Sequence, residues 1–101
     1  MKNKLPKKKI DWSKYSPFQQ QVYKTIMKIP PGQVWTYGLV AAKMGKPGAA
    51  RAVGTALAKN QDAPEIPCHR VVGSNNMGGY SAAGGMKRKF ALLRKEGYKI
   101  S

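Results

Sequence analysis

Between Ser16 and Ile29 the apolar side chains Phe18, Val22, Ile26 and Ile29 return at helical spacing, with Tyr23 and Met27 alongside. The pattern predicts an amphipathic helix with one core-facing stripe. Its start lies in the polar residues: Ser16 suits an N-cap, Pro17 tolerates the first helical position, and Gln19 can close a capping box. Pro30-Pro31-Gly32 stops it. Val34-Trp35-Thr36-Tyr37 is then short and β-prone, and Thr36 can cap a helix from Tyr37 to Met44 that Gly45 ends. Pro47-Gly48 opens the next helix, Ala49 to about Ala58. Two short helices joined by a tight glycine-containing turn are the pattern of a helix-turn-helix. In the second, Ala49, Ala50, Ala52, Gly54, Thr55, Ala56 and Ala58 are all small, and Arg51 is the only long polar side chain before Lys59. Such a helix can press its backbone against another helix or into a nucleic-acid groove.

Turn chemistry follows at Asn60-Gln61-Asp62-Ala63-Pro64. Pro67 stiffens the backbone and biases Ile66 away from helix, while Val71-Val72 suits a buried extended segment ending at Gly73-Ser74-Asn75-Asn76. Cys68 is therefore expected where a loop enters a short strand. Gly78-Gly79-Tyr80-Ser81 and Gly84-Gly85 form a second loop. A last helix, Met86 to about Lys95, is expected to turn Phe90, Leu92 and Leu93 inward and to keep Lys87, Arg88, Lys89, Arg94 and Lys95 at the surface, with Gly97 as the natural C′ residue. The expected class is mainly α with a small β element.

Charge narrows the partners. Lys plus Arg number 19 against 4 Asp plus Glu, a net charge of +15 over 101 residues. A single domain this basic is built to meet a polyanion, with nucleic acid the first choice. No apolar run approaches a spanning helix, and the basic start Met1 to Pro6 lacks the apolar stretch of a secretory leader, so an intracellular protein without membrane association is expected. Residues 1–15 read as a basic arm, docked onto the domain of residues 16–101 by Trp12 and Tyr15.

The only cysteine and the only histidine, Cys68 and His69, stand side by side. They can be a nucleophile next to a base, or a space-filling thiol beside a buried imidazole. One of each makes neither a disulfide nor a zinc site. Glu96, the one acid in the last third of the chain, would sit at a helix C-terminus where the macrodipole disfavours it, so a partner is expected, with His69 and a nearby cation as candidates.

Thr36-Tyr37-Gly38, Ala50-Arg51-Ala52-Val53-Gly54, Asn60, Pro67-Cys68-His69-Arg70-Val71, Gly79-Tyr80 and Lys89 through Glu96-Gly97 appear in the order found in the O6-alkylguanine-DNA alkyltransferases, the methylated-DNA–protein-cysteine methyltransferases. The chain resembles that family from Ser16 to Gly97. The resemblance implies a winged-helix-like helix-turn-helix domain that acts without a cofactor, as a monomer, on double-stranded DNA containing O6-alkylguanine, in the cytoplasm or nucleoid (in the nucleus of a eukaryote). It implies that the small-residue helix enters the minor groove, that Arg51 takes the place of a base rotated out of the stack, and that Tyr37 crowds the phosphate that turns. Ala50, Thr55 and Arg70 would share the DNA contact. Cys68 would accept the alkyl group irreversibly, with His69 as base, Glu96 orienting the imidazole, and Asn60 bridging the helix-turn-helix to the site. Because neighbours on a strand face opposite ways, His69 is expected to reach Cys68 through a water. Tyr37, Leu57, Val71, Tyr80, Ser81 and Lys89 would wall the base pocket, where the carbonyls of Cys68 and Val71 meet the guanine amino group. Gln61 departs from the proline often found there, and the stretch from Ser81 to Lys89 is longer than usual. Short alkyltransferase-like relatives, which replace the cysteine and only bind the lesion, provide the alternative: a lesion sensor of this length that has kept its thiol.

Overall fold

The structure is a computed structural model and describes residues 10–73 and 85–98. The arm before Ile10, the residues from Ser74 to Gly84 and with them the pocket candidates Tyr80 and Ser81 lie outside the described residues.

Helix α1 spans Pro17–Ile26 and starts as its capping residues dictate. The Gln19 amide N–H donates to Ser16 Oγ at 3.1 Å, and Gln19 Oε1 accepts from the Ser16 amide at 2.9 Å. Its inner face buries Val22, Tyr23 and Ile26, with Ile29 buried just beyond it. Regular helix ends at Ile26, sooner than the prolines alone require, because the Lys28 and Ile29 amides fall back to three-residue bonds on Thr25 and Ile26. Met27 is consequently turned outward, 44% exposed.

Strand β1 (Trp35–Thr36) leads directly into α2 (Tyr37–Lys43), capped by Thr36 Oγ1 accepting from the Leu39 amide at 3.0 Å. After the left-handed Gly45 comes α3 (Ala50–Ala58). Helices α1, α2 and α3 enclose Val22, Tyr23, Ile26, Val40, Ala41, Val53, Ala56 and Leu57. The Tyr23 hydroxyl donates to the Ala56 carbonyl at 2.5 Å, tying α1 to α3. Strand β2 (Val71–Val72) pairs parallel with β1, Trp35 opposite Val71 and Thr36 opposite Val72. A parallel pair needs a long crossover. Here that crossover contains the helix-turn-helix, so the pairing brings the residues after Cys68 beside the entrance to α2.

Helix α4 (Gly85–Lys95) closes the domain. Its end is a Schellman cap: Gly97 at φ +95° donates to the Arg94 carbonyl at 3.0 Å, and Tyr98 to the Leu93 carbonyl at 2.9 Å. Gly32 lies against this end, and a Cβ there would come within 2.8 Å of the Glu96 carbonyl oxygen. The turn after α1 thus fits under α4 only as glycine.

Two expectations are corrected. Cys68–Arg70 forms a 3₁₀ turn, with the Arg70 amide donating to the Pro67 carbonyl at 3.0 Å, and the strand begins only at Val71. Strand alternation therefore does not govern Cys68 and His69. Lys89, expected at the surface, is wholly buried. It lies four residues before Leu93 on the same inward face, a spacing that was present in the sequence. Before α1, Trp12 packs on the core and Tyr15 belongs to it, 4% exposed and edge-on to Tyr23 at 4.7 Å between ring centroids.

Candidate active site

The 3₁₀ turn places His69 and Arg70 against the C-terminal end of α4. His69 is buried, and its Nε2 lies 2.9 Å from Glu96 Oε2. A carboxylate only accepts, so Nε2 carries the proton in that bond and Nδ1 is left as the basic atom. Nδ1 is buried and has no hydrogen-bond partner among the described residues. Burial pulls the His69 pKa below its ordinary value, opposed by the Glu96 hydrogen bond and charge and assisted by the positive charges of Arg70 and Lys89. The imidazole is accordingly neutral at neutral pH and able to take a proton.

Glu96 has the partners its position called for. Desolvation pushes its carboxyl pKa up, but the hydrogen bonds from Arg70 and His69 outweigh it and hold the group below the usual carboxylate range. Arg70 grips the carboxylate in a fork, Nε to Oε1 at 2.9 Å and a terminal nitrogen to Oε2 at 2.7 Å, while its other terminal nitrogen donates to the Ile29 carbonyl at 2.9 Å. Such bidentate pairs fix orientation as well as charge. This revises the place of Arg70: expected on the DNA, it has its guanidinium engaged inside the domain, where it aligns the carboxylate that aligns the histidine.

Around the sulfur, burial raises the Cys68 pKa, while a hydrogen bond from Asn60, the positive charge of Lys89 and the backbone pull it back. The resting pair is thus a neutral thiol beside a neutral imidazole. Lys89 donates to the Val71 carbonyl at 2.8 Å, and burial brings its own pKa down to about 8, with the Cys68 charge opposing. An ammonium at that place favours a developing thiolate. Asn60, at the end of α3, donates from Nδ2 to the Ile66 carbonyl at 2.9 Å and accepts at Oδ1 from the Asp62 amide at 2.8 Å, which joins the helix-turn-helix to the cysteine turn.

The other expected residues lie on the helix-turn-helix. Arg51 and Thr55 are exposed on the outer face of α3, and Ala50 is half-buried at its start. Tyr37 opens α2, and its ring edge is 3.9 Å from where a Cβ on Gly54 would stand, an ordinary contact distance, so the ring lies against α3 at this point. Leu57 and Val71 are buried, Leu57 on the inner face of α3. Tyr15 was expected to dock the N-terminal segment, but nothing local marked Asp62 as its partner. Asp62 sits in a stretch that reads as an exposed turn, yet it is 1% exposed and takes the Tyr15 hydroxyl at 2.5 Å.

Comparison with known proteins places this geometry in context. Residues 17–98 match the family model described as the 6-O-methylguanine DNA methyltransferase DNA-binding domain. A methylated-DNA–protein-cysteine methyltransferase of Shigella flexneri is 55% identical over 84 residues, covering 82% of this chain and 48% of that protein. The chain thus spans about half the length of the curated relatives it matches. The Mycobacterium tuberculosis OGT in complex with DNA superposes with a TM-score of 0.76 at 47% identity, over 81% of this chain and 50% of that one. S. pombe Atl1, in complex with damaged DNA containing O6-carboxymethylguanine, superposes with a TM-score of 0.68 at 34% identity, over 83% and 79%.

Proposed function

The chain belongs to the 6-O-methylguanine DNA methyltransferase family, and from that premise we propose that it repairs DNA by taking the alkyl group of O6-alkylguanine, chiefly methyl, onto Cys68. The observation that carries this reading is the buried relay Arg70–Glu96–His69 behind the sulfur, with Nδ1 of the imidazole left basic. Its logic is that of a nucleophile, a base and an orienting acid.

The thiol proton passes to His69 Nδ1, the imidazole nitrogen left without a partner among the described residues. The sulfur then attacks the alkyl carbon, the S–C bond forms as the C–O6 bond breaks, and the bond's electrons stay with guanine, which regains its carbonyl as N1 takes up a proton. Lys89 and the Asn60 amide stabilise the sulfur as its proton leaves. The thioether does not release the group, so one molecule repairs one lesion.

DNA as partner is supported by the net charge of +15 and by relatives solved on DNA. The small outer face of α3 suits a minor groove, with Arg51 projecting to replace the extruded base, Ala50 and Thr55 alongside, and Tyr37 beside the turning phosphate. Extrusion costs a few kcal/mol and less for a weakly paired lesion, which itself favours damaged sites. Of the proposed base pocket the described residues supply Tyr37 and Val71; Lys89 serves it through the Val71 carbonyl rather than from its rim.

Intact-protein mass after incubation with duplex DNA containing O6-methylguanine tests the proposal. One methyl in place of one hydrogen, mapped to Cys68, is expected. Tight binding of the lesion with unchanged mass would sink the transferase and leave a sensor like the lesion-bound Atl1.

A further inference from the structure

We propose that Tyr15 and Asp62, with Lys14, form a clasp that aims the Asn60 amide at the Cys68 sulfur, making Tyr15 and Asp62 positioning residues for alkyl transfer. The proposal rests on the function proposed above and adds to it residues that touch neither sulfur nor DNA.

Asp62 is a carboxylate buried to 1% exposure in a chain with only 4 acids, and burial of an unpaired charge is costly. Its Oδ2 takes the Tyr15 hydroxyl at 2.5 Å and lies 3.1 Å from Lys14 Nζ. The same hydroxyl accepts from the Gln61 amide at 2.9 Å, so one tyrosine oxygen holds two successive residues of the loop. Tyr15 is itself wedged between Trp12 and Tyr23, with ring centroids 6.2 and 4.7 Å away. It therefore presents its oxygen from a rigid base. Burial, helped by the Asp62 carboxylate, pushes its pKa up to about 12, so it remains a donor across the working range.

The consequence reaches the site through the backbone. Held this way, Asp62 directs its amide to Asn60 Oδ1 at 2.8 Å and accepts from the Ile66 amide at 2.9 Å. With Oδ1 occupied by a donor, the Asn60 side chain can present only its NH₂ on the other side. One hydrogen goes to the Ile66 carbonyl at 2.9 Å, which leaves the other for the sulfur, whose pKa the Asn60 amide lowers. The Ile66 carbonyl is also the acceptor for the Cys68 amide at 2.8 Å, so the loop and the nucleophile move as one piece. Releasing the clasp frees the amide to turn, and the thiolate loses a donor.

The test is the pH dependence of Cys68 carbamidomethylation by iodoacetamide, measured on the full chain and on Tyr15→Phe, Asp62→Ala and Asp62→Asn, with thermal melts in parallel. The titratable groups around the sulfur are Lys89 from α4, His69 on its own turn, and Tyr15 and Tyr23. All but Tyr15 are common to every variant, and Tyr15 is neutral over the range, so the shift is read as a difference. Tyr15→Phe and Asp62→Ala should move the midpoint up by about half a unit, which lowers the rate about threefold below the midpoint. Asp62→Asn, which keeps an acceptor for the hydroxyl, should restore most of it. In an Asn60→Ala background the Tyr15→Phe shift should vanish. A clasp that merely anchors the N-terminal segment would lower melting temperature and leave the midpoint alone, and that result, or a shift that survives in Asn60→Ala, overturns the proposal. Tyr15→Phe keeps the packed ring, so it decides the matter if Asp62→Ala does not fold. Iodoacetamide needs no DNA. A midpoint shift without methyl transfer from DNA therefore sinks the repair reading and spares the clasp, whereas methyl transfer with an unmoved midpoint sinks the clasp alone.

Discussion

The cysteine turn and the outer face of α3 are built on opposite principles. Around Cys68 the polar groups are buried and interlocked: His69, Glu96, Arg70 and Lys89 each have a partner from a different part of the chain, and Asn60 closes its own loop on Ile66. On α3 the outward residues Arg51, Ala52 and Thr55 are exposed, and their hydrogen bonding stays within the helix, as in Thr55 Oγ1 donating to the Arg51 carbonyl at 3.2 Å. On the proposed function, the first region holds a reactive atom in a dry, directed field before any substrate arrives, and the second meets a partner whose own shape completes it. Changes at the first should therefore cost chemistry, and stability as well wherever they strand a buried charged partner, and changes at the second should cost function alone.

The largest expected effect isolates the chemistry. Cys68→Ala should abolish methyl transfer while lesion binding is kept, checked by mass and by gel shift on the same DNA; a variant that is still alkylated breaks the assignment. Next, Glu96→Ala should cut transfer and destabilise the fold by about 3 kcal/mol in urea melts, because it strands a buried arginine and histidine at once. Loss of transfer with unchanged stability would mean that Arg70 and His69 find other partners. The same carboxyl sets an acid limit. Its folded pKa lies below the ordinary 4.5, so its contribution is present above that value and should be lost as pH falls through the folded pKa.

Lys89→Met separates stability from function within the buried site. With a folded pKa of about 8 against 10.5, the unfolded chain binds more protons between those values, so Lys89 should make the parent gain stability as pH rises from about 8 to 10.5. The methionine variant should lack that gain, be at least as stable at pH 7, and transfer methyl more slowly. Equal pH slopes for the two proteins in thermal melts would mean that the ammonium is solvated. The smallest stability effect belongs to α3. Arg51→Ala should change stability by less than about 0.5 kcal/mol. It should slow transfer about tenfold in duplex DNA, about 1.4 kcal/mol of support for extrusion, yet hardly at all in single strands. Equal losses on both substrates would remove the base-replacing role.

The same contrast explains what could be read in advance. The start of α1, the Thr36 cap, the small-residue composition of α3 and the Gly97 stop were all legible, because each depends on residues within a turn of one another. The need of Glu96 for a partner was legible too, since a carboxylate at a helix C-terminus is a local contradiction. Lys89 was misplaced because a lysine reads as solvent-facing even when its spacing marks the inner face. Arg70 was assigned to the DNA by resemblance, and its hold on Glu96 and the Ile29 carbonyl had no local signal.

The order of elements, their caps, the basic surface and the Cys68-His69 pair are properties of the chain itself, set by steric and hydrogen-bonding preferences that act over a few residues. Folding alone decided that Lys89 meets the Val71 carbonyl across 18 residues, that Tyr15 meets Asp62 across 47, and that the cysteine occupies a 3₁₀ turn. The reason is burial. Once helix packing removes water from these groups, each must take whichever complementary group lies nearest in space, and no short-range pattern records that choice.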